Sequence, residues 1–489
     1  MNVQATVPRV DAKPDARFDA KTLRRARQSL AVPFRVQADD GEAIGISRLL
    51  RVLPGKRIVG EARWRDTSAL VKLFVARANT RHWERERQGI AALQAANLPT
   101  PAVLGAGRLA GGGHFLLTEF LVGSRTLAER WSAVDTLRPG DPQALEILLP
   151  AFALLGRLHA AGLIQTDLHL GNFLEYQGEF FLIDGDGIEP VTKGAEASRQ
   201  PLDNLALLVA QLPLAWESCL DLLVAAYTAE QERLRPERDA LLLAVERARE
   251  QRLTHFLGKT LRDCSQFAVR GTTSLFTAVV RAEKDALRDL LESPDAAIKK
   301  GQMLKDGNTC TVVRVDVDGR ARVIKRYNLK SFRHALSRFW RPSRAWHSWV
   351  AGHRLAFFGI ATPAPLAMLE ERVGPLRRRA FLVTDFCPGE SLMQRLSPER
   401  EPGTDEAAAL VDFFGTLFRL KITHGDMKAT NLLWHEGRIV VIDLDAMIRH
   451  DCHTAFVRDW RRDRARFLRN WPTHSALYRW LDANLPEVP

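Results

Sequence analysis

Cysteine is scarce in this chain and never clustered. Its five cysteines, Cys219, Cys264, Cys310, Cys387 and Cys452, make no Cys-x-x-Cys pair or other ligand spacing. That argues against a disulfide framework or a thiolate metal site, and it reads as the reduced thiols of a cytoplasmic protein. Long apolar runs are missing too. The stretch 144–164 is broken by Glu146, Pro150, Arg157 and His159, and the one from Leu205 by Gln211, Glu217 and Asp221. Neither offers the roughly 20 uninterrupted apolar residues of a membrane span. No apolar segment follows Arg24, Arg25 and Arg27, so a secretory signal is not expected. The eleven tryptophans have no spacing that would make a nucleic-acid stacking platform, and no nucleic-acid partner is expected. Negative charge is in deficit: 58 acidic against 70 basic side chains leave a formal charge of +12. Such a surface field attracts polyanions, nucleotides and anionic lipid among them.

What the chain does have is a long internal repeat. At 489 residues it exceeds one ordinary core. The segment Thr166-Asp-Leu-His-Leu-Gly-Asn172, followed by Ile183-Asp184-Gly-Asp186, returns as Gly425-Asp-Met-Lys-Ala-Thr-Asn431 followed by Ile442-Asp443-Leu-Asp445. The differences 426 − 167, 431 − 172 and 443 − 184 all equal 259. Upstream, β-rich runs end on Lys72 and Lys325, helical stretches follow, and Phe115-Leu-Leu-Thr-Glu-Phe120 is matched by Phe381-Leu-Val-Thr-Asp-Phe386. The order predicts a small sheet-rich lobe followed by a helical lobe, twice, an α+β organisation. Turn chemistry at Ser293-Pro294-Asp295 places the units at 31–292 and 296–489, after an N-terminal extension over 1–30. The stretch 202–291, rich in Leu, Ala, Arg and Glu, reads as a helical extension of the first unit, there for packing rather than chemistry.

The spacing within the repeat suggests chemistry. Gln177-Gly178 and Glu436-Gly437 sit midway between each Asn and its Asp, so each segment should fold as a hairpin that brings Asn172 beside Asp184 and Asn431 beside Asp443. Each pair offers hard oxygen ligands to Mg²⁺ carrying ATP phosphates. Asp167 and Asp426, five residues before each Asn, can accept the proton of an attacking hydroxyl. Lys72 and Lys325 can reach the nucleotide phosphates from the sheet lobe. Glu86, with Glu84 as the alternative, suits the anchor of Lys72, whereas Ser348 occupies the aligned place in the second unit. The bland readings are Asx-turn capping for the Asp/Asn sets and edge-strand protection for the lysines. His169 and His424 read as structural hydrogen-bonders, and Asp186 and Asp445 as support for the metal shell or caps of the next loop.

Asp167-Leu-His-Leu-Gly-Asn172 is similar to the catalytic loop of the aminoglycoside and choline kinases, and His424-Gly-Asp426-Met-Lys428 with Asn431 to that of protein kinases. With Asp-x-Asp in place of Asp-Phe-Gly, both halves resemble the lipopolysaccharide core kinases, the Kdo and heptose kinase family. The resemblance covers nearly all of the second unit and the first up to about residue 190. It implies two protein-kinase-like domains, each with an antiparallel-sheet lobe and a helical lobe. It also implies ATP-dependent phosphorylation of an inner-core sugar of lipopolysaccharide at the cytoplasmic face of the inner membrane. This chain departs from the family at Gln165, where a histidine is usual, and neither unit has the Arg of His-Arg-Asp. The glycines of Pro54-Gly55-Lys56 to Gly60 and of Gly301 to Gly307-Asn308-Thr309 fall short of a full Gly-x-Gly-x-x-Gly. His424 and Lys428 complete the second loop, which makes the second unit the expected seat of activity. A kinase for a protein or small-metabolite acceptor, and a kinase fold kept only for binding or regulation, are the alternatives.

Near the end, Trp460, Phe467, Leu468 and Trp471 share one helical face ringed by arginines. Such a helix either packs its apolar stripe on the domain or lies on an anionic membrane surface.

Overall fold

A computed structural model describes residues 16–488, leaving aside 27–29, 66, 77–78, 136, 195–198, 308, 328–341 and 374–375. It divides into two compact units, 1–249 and 250–489. Each has a seven-stranded sheet, two smaller sheets and a set of helices.

In the first unit the hydrogen-bonded order is Arg17–Phe18, Phe34–Gln37, Ala43–Leu53, Arg57–Trp64, Thr67–Phe74, His114–Glu119 and Val103–Arg108. Only the first pair is parallel. Strand Arg57–Trp64 alternates between buried side chains and half-buried or exposed ones, the period-two pattern of a sheet covered on one face. Helix Thr80–Ala95 packs on this sheet, and the helical lobe is built around Pro142–Ala160. The segment from residue 16 to 26, expected as an extension, belongs to this unit. Strand Arg17–Phe18 joins the sheet edge, and helix Ala20–Ala26 buries Ala20 and Leu23 in its core.

The second sheet runs Phe267–Gly271, Leu275–Val280, Pro365–Val373, Leu376–Asp385, Arg320–Tyr327, Cys310–Val317 and Gln302–Gly307. This corrects the expected boundary. Residues 267–280 are a hairpin of the second unit rather than part of a helical extension of the first, and the division falls inside helix Arg238–Lys259. The reason is edge protection: Leu275–Val280 supplies backbone partners to Pro365–Val373, whose edge would otherwise lie open.

Both expected hairpins form. Phe173–Tyr176 pairs with Glu179–Leu182, and Leu432–His435 with Arg438–Val441. Their turn residues Gln177 and Gly178 (φ 51° and 83°) and Glu436 and Gly437 (φ 49° and 74°) are left-handed at both central positions. That is the turn whose twist matches the flanking strands.

Among the described residues no helix is long and apolar enough to cross a membrane. The face expected either to pack or to meet lipid packs: Phe456, Trp460, Phe467 and Leu468 of helix His453–Leu468 are buried, as is Trp471 beyond it. The rings of Phe414 and Phe467 lie 4.8 Å apart, and those of Phe418 and Trp460 5.2 Å. The stripe is core.

Candidate functional site

Each unit places its lysine on the third strand of a meander, where it lines a cavity. The three strands are Ala43–Leu53, Arg57–Trp64 and Thr67–Phe74 in the first unit, and Gln302–Gly307, Cys310–Val317 and Arg320–Tyr327 in the second. The glycine-poor segments after Leu53 and Gly307 are the first turns of these meanders. Asn308, named with the second of them, lies outside the described residues.

In the first unit, Lys72 Nζ donates to Glu86 Oε1 at 2.5 Å and to Asp184 Oδ1 at 3.2 Å. Glu86, rather than Glu84, is the partner. It is fully buried on helix Thr80–Ala95, and its Oε1 also accepts the N–H of Gly185 at 3.1 Å. The helix can come this close because both backbones are bare: a Cβ on Gly89 would lie 2.0 Å from the Gly185 oxygen. Burial works against the Lys72 charge, yet Glu86 and Asp184 outweigh it and hold the ammonium above the usual lysine value. Burial, reinforced by the Asp184 charge, pushes the Glu86 carboxyl up.

The second unit assembles a different set. Lys325 Nζ pairs with Asp443 and donates to Asp445 Oδ1 at 2.8 Å. Ser348 cannot anchor the lysine itself. It donates instead to Asp445 Oδ1 at 2.8 Å, beside the Tyr327 hydroxyl at 2.7 Å, while Arg344 pairs with Asp445 Oδ2. Burial opposes the Asp445 charge, but Lys325, Arg344 and the Tyr327 hydroxyl keep its carboxyl below the usual aspartate value. The cavity here has a volume of about 340 Å³. Pro363, Leu382, Leu433 and Ile442 give it apolar walls, and Lys325, Asn431 and Asp443 gather at its polar end. A flat base between apolar walls and phosphates against cation and carboxylates fit this shape. Asn431 Oδ1 and Asp443 are the oxygens suited to a magnesium ion. No cluster of three or more His, Cys, Asp or Glu with metal-ligand geometry occurs among the described residues.

Asp184 and Asp443 both hold left-handed backbone, φ 70° and 62°. The same sparsely populated conformation at both hairpin ends turns each carboxylate toward its lysine.

The loops bearing Asp167 and Asp426 diverge. Asp426 pairs with Lys428 at 3.0 Å and with Arg466 at 2.5 Å. Partial burial works against its charge, but these two cations outweigh it and hold its carboxyl below the usual aspartate value. Asn431 Nδ2 donates to the Asp426 carbonyl at 2.9 Å, and Asn431 lines the cavity. In the first unit Asp167 is exposed and has no side-chain partner among the described residues. Asn172 is 1% exposed, and its Oδ1 accepts the N–H of His169 at 2.7 Å.

Gln165 repairs the departure noted in the sequence. Its Nε2 donates to the Asp184 carbonyl at 3.0 Å, and His424 Nε2 lies 2.9 Å from the carbonyl of Ile442, one repeat position earlier. His424 is thus the structural hydrogen-bonder expected of it. Sequence reading missed Asp463 and Asn204. Buried Asp463 accepts the N–H groups of His424 and Gly425 from below the loop, and Asn204 exchanges two hydrogen bonds with the Gln165 backbone. Their separation, 463 − 204 = 259, is the repeat offset and was the signal available.

Residues 296–472 match the model of the Lipopolysaccharide kinase (Kdo/WaaP) family. The second unit is thereby similar to the lipopolysaccharide kinases. The RIO-type serine/threonine-protein kinase Rio1 of Haloferax volcanii is 27% identical over 235 residues, 43% of this chain and 74% of that protein. A solved structure of WaaP in complex with acyl carrier protein aligns at 19% identity with a TM-score of 0.32, covering 42% of this chain and 88% of that one.

Proposed function

We propose that the second unit is an ATP-dependent phosphotransferase acting on a sugar hydroxyl of the lipopolysaccharide inner core. The observation that carries this reading is the convergence of Lys325, Asn431 and Asp443 at one end of an apolar-walled cavity, with Asp426 on the loop before them. ATP with Mg²⁺ would supply the phosphoryl group and the charge neutralisation of its transfer. Lys325 would hold the nucleotide phosphates, and Asn431 and Asp443 would ligate the metal. Asp426, ionised at neutral pH, would orient the acceptor hydroxyl and take its proton as the oxygen attacks phosphorus. The family match over 296–472 supports the lipopolysaccharide acceptor. A protein or small-metabolite acceptor is the competing outcome.

For the first unit, a second reading has its own support. Lys72, Glu86 and Asp184 are assembled to hold nucleotide, but Asn172 has turned its oxygen into the loop and Asp167 has no cation beside it among the described residues. We read this unit as a nucleotide-binding, regulatory kinase fold that leaves transfer to its partner unit. Asp167 as base and Asn172 as metal ligand are the roles that reading gives up. Attraction to an anionic membrane at the cytoplasmic face would rest on exposed arginines such as Arg458 and Arg462, since the apolar stripe beside them is core.

The test is transfer of labelled γ-phosphate from ATP to purified core glycolipid by the full chain. Incorporation that survives Asp167→Asn and falls at least about 10²-fold in Asp426→Asn is expected. Labelling of protein or metabolite with none in the glycolipid would move the acceptor to another class.

A further inference from the structure

The two units differ together at five positions around the lysine. Counting along the helices, 348 − 86, 351 − 89 and 344 − 82 all equal 262, the offset that also relates Pro101 to Pro363. Ser348 therefore stands where Glu86 does, Ala351 where Gly89 does, and Arg344 where His82 does. On the turn, Leu444 replaces Gly185 at the offset of 259, and on the strand Tyr327 replaces Phe74 at the offset relating Lys325 to Lys72.

These differences have one physical logic. In the first unit the bare Gly89 and Gly185 backbones let the helix press on the turn, so Glu86 reaches both Lys72 and the Gly185 N–H. In the second unit Ala351 and Leu444 stand at these two places, and the Leu444 side chain lies 3.5 Å from the Cβ position of Gly352. No helix carboxylate remains. The carboxylate after the turn is held alike in both units: His82 lies 2.8 Å from Asp186 Oδ2, and Arg344 pairs with Asp445 Oδ2. What differs is the second oxygen. Asp186 Oδ1 lies near Arg85 of the helix, 3.3 Å away, whereas Asp445 Oδ1 faces Lys325 and accepts from the Ser348 and Tyr327 hydroxyls. Glu86 and Phe74 could supply no such donors. Each ammonium thus sits between two carboxylates, Glu86 with Asp184 and Asp445 with Asp443, which a lysine withdrawn from solvent requires.

We propose that Asp445 is the positioning residue of Lys325, taking over in the second unit the part that the helix residue Glu86 has in the first. The assignment rests on the reading of the second unit as a nucleotide site. It removes Asp445 from the metal shell and makes Ser348 and Tyr327 the groups that aim it. The position of the helix then bears on Lys325 only through Arg344 and the Ser348 hydroxyl, not through a carboxylate of its own.

Photolabelling of the full chain by azido-ATP, read from second-unit peptides by mass spectrometry at fixed free Mg²⁺, tests this without turnover. Asp445→Ala should raise the half-saturating concentration about tenfold or more, the scale of a lost charge-assisted hydrogen bond. Adding Ser348→Glu, whose carboxylate falls into the vacated space, should bring it back to within about threefold of the parent chain. A single variant that labels like the parent overturns the proposal, as does a loss reversed by raising free Mg²⁺ and not by Ser348→Glu, which would make Asp445 a metal ligand. If the double variant melts early, Asp445→Asn keeps the volume and should show the same loss; unchanged half-saturation there also overturns it. Absence of second-unit labelling in the parent chain would instead count against the phosphotransferase reading itself.

Discussion

Arg466 Nη2 lies 2.5 Å from Asp426 Oδ1, and it belongs to the same helix as Asp463, which accepts the backbone N–H groups behind that aspartate. One helix thus holds the loop in place and sets the charge on its carboxylate. Because Lys428 and Arg466 outweigh burial, Asp426 loses its charge only below the usual aspartate range, near 3.9. An ionised base is needed, so the acid limb of kcat/KM should lie below that value in the parent chain. Arg466→Met removes one cation, raises the Asp426 pKa and should move the limb to higher pH. A pH–rate profile of the two proteins checks the direction; an unmoved limb would detach Arg466 from the base.

Asp463→Ala should cost the second unit roughly 2–4 kcal/mol, since two backbone donors, at least one of them buried, lose their acceptor. Asp463→Asn keeps one acceptor oxygen and should cost less. Chemical denaturation followed by second-unit tryptophan fluorescence gives both values.

Much of this site is legible in the sequence. The offset of 259 pointed to both hairpins and to the place of Asn431 beside Asp443, because these depend on turn residues and strand register that sequence spells out. The anchor of Lys325 was not legible. Motif reading compares like positions, and here Asp445 took over from a helix residue more than 90 positions away in sequence. The division of the chain was also misplaced. Phe267-Ala-Val-Arg-Gly271 and Leu275-Phe-Thr-Ala-Val-Val280 are good strand formers, but the sheet that pairs them lies on the far side of the sequence boundary.

Gly89→Ala should damage the first unit's nucleotide site without touching a polar group. Its Cβ would meet the Gly185 oxygen at 2.0 Å, so the helix must withdraw and carry Glu86 from Lys72. A destabilisation of about 1–3 kcal/mol and weaker first-unit labelling by azido-ATP are expected. Ala351→Gly at the matching position should leave second-unit labelling within about twofold, its cost being a helix-propensity loss of roughly 1 kcal/mol.

Titration of the full chain with a non-hydrolysable Mg·ATP analogue should give two sites. Asp184→Ala should remove one of them, through the loss of the carboxylate on Lys72. A single site that Asp184→Ala leaves untouched would exclude the first unit as a nucleotide binder.

The central claim, that the second unit phosphorylates the lipopolysaccharide inner core, meets its most direct test in the mass spectrum of core oligosaccharide from a strain lacking this chain. Phosphate should be missing from the inner core, return with the parent chain and with Asp167→Asn, and stay missing with Asp426→Asn. An unchanged phosphate count in the deletion strain, or full return with expressed Asp426→Asn, would contradict the account.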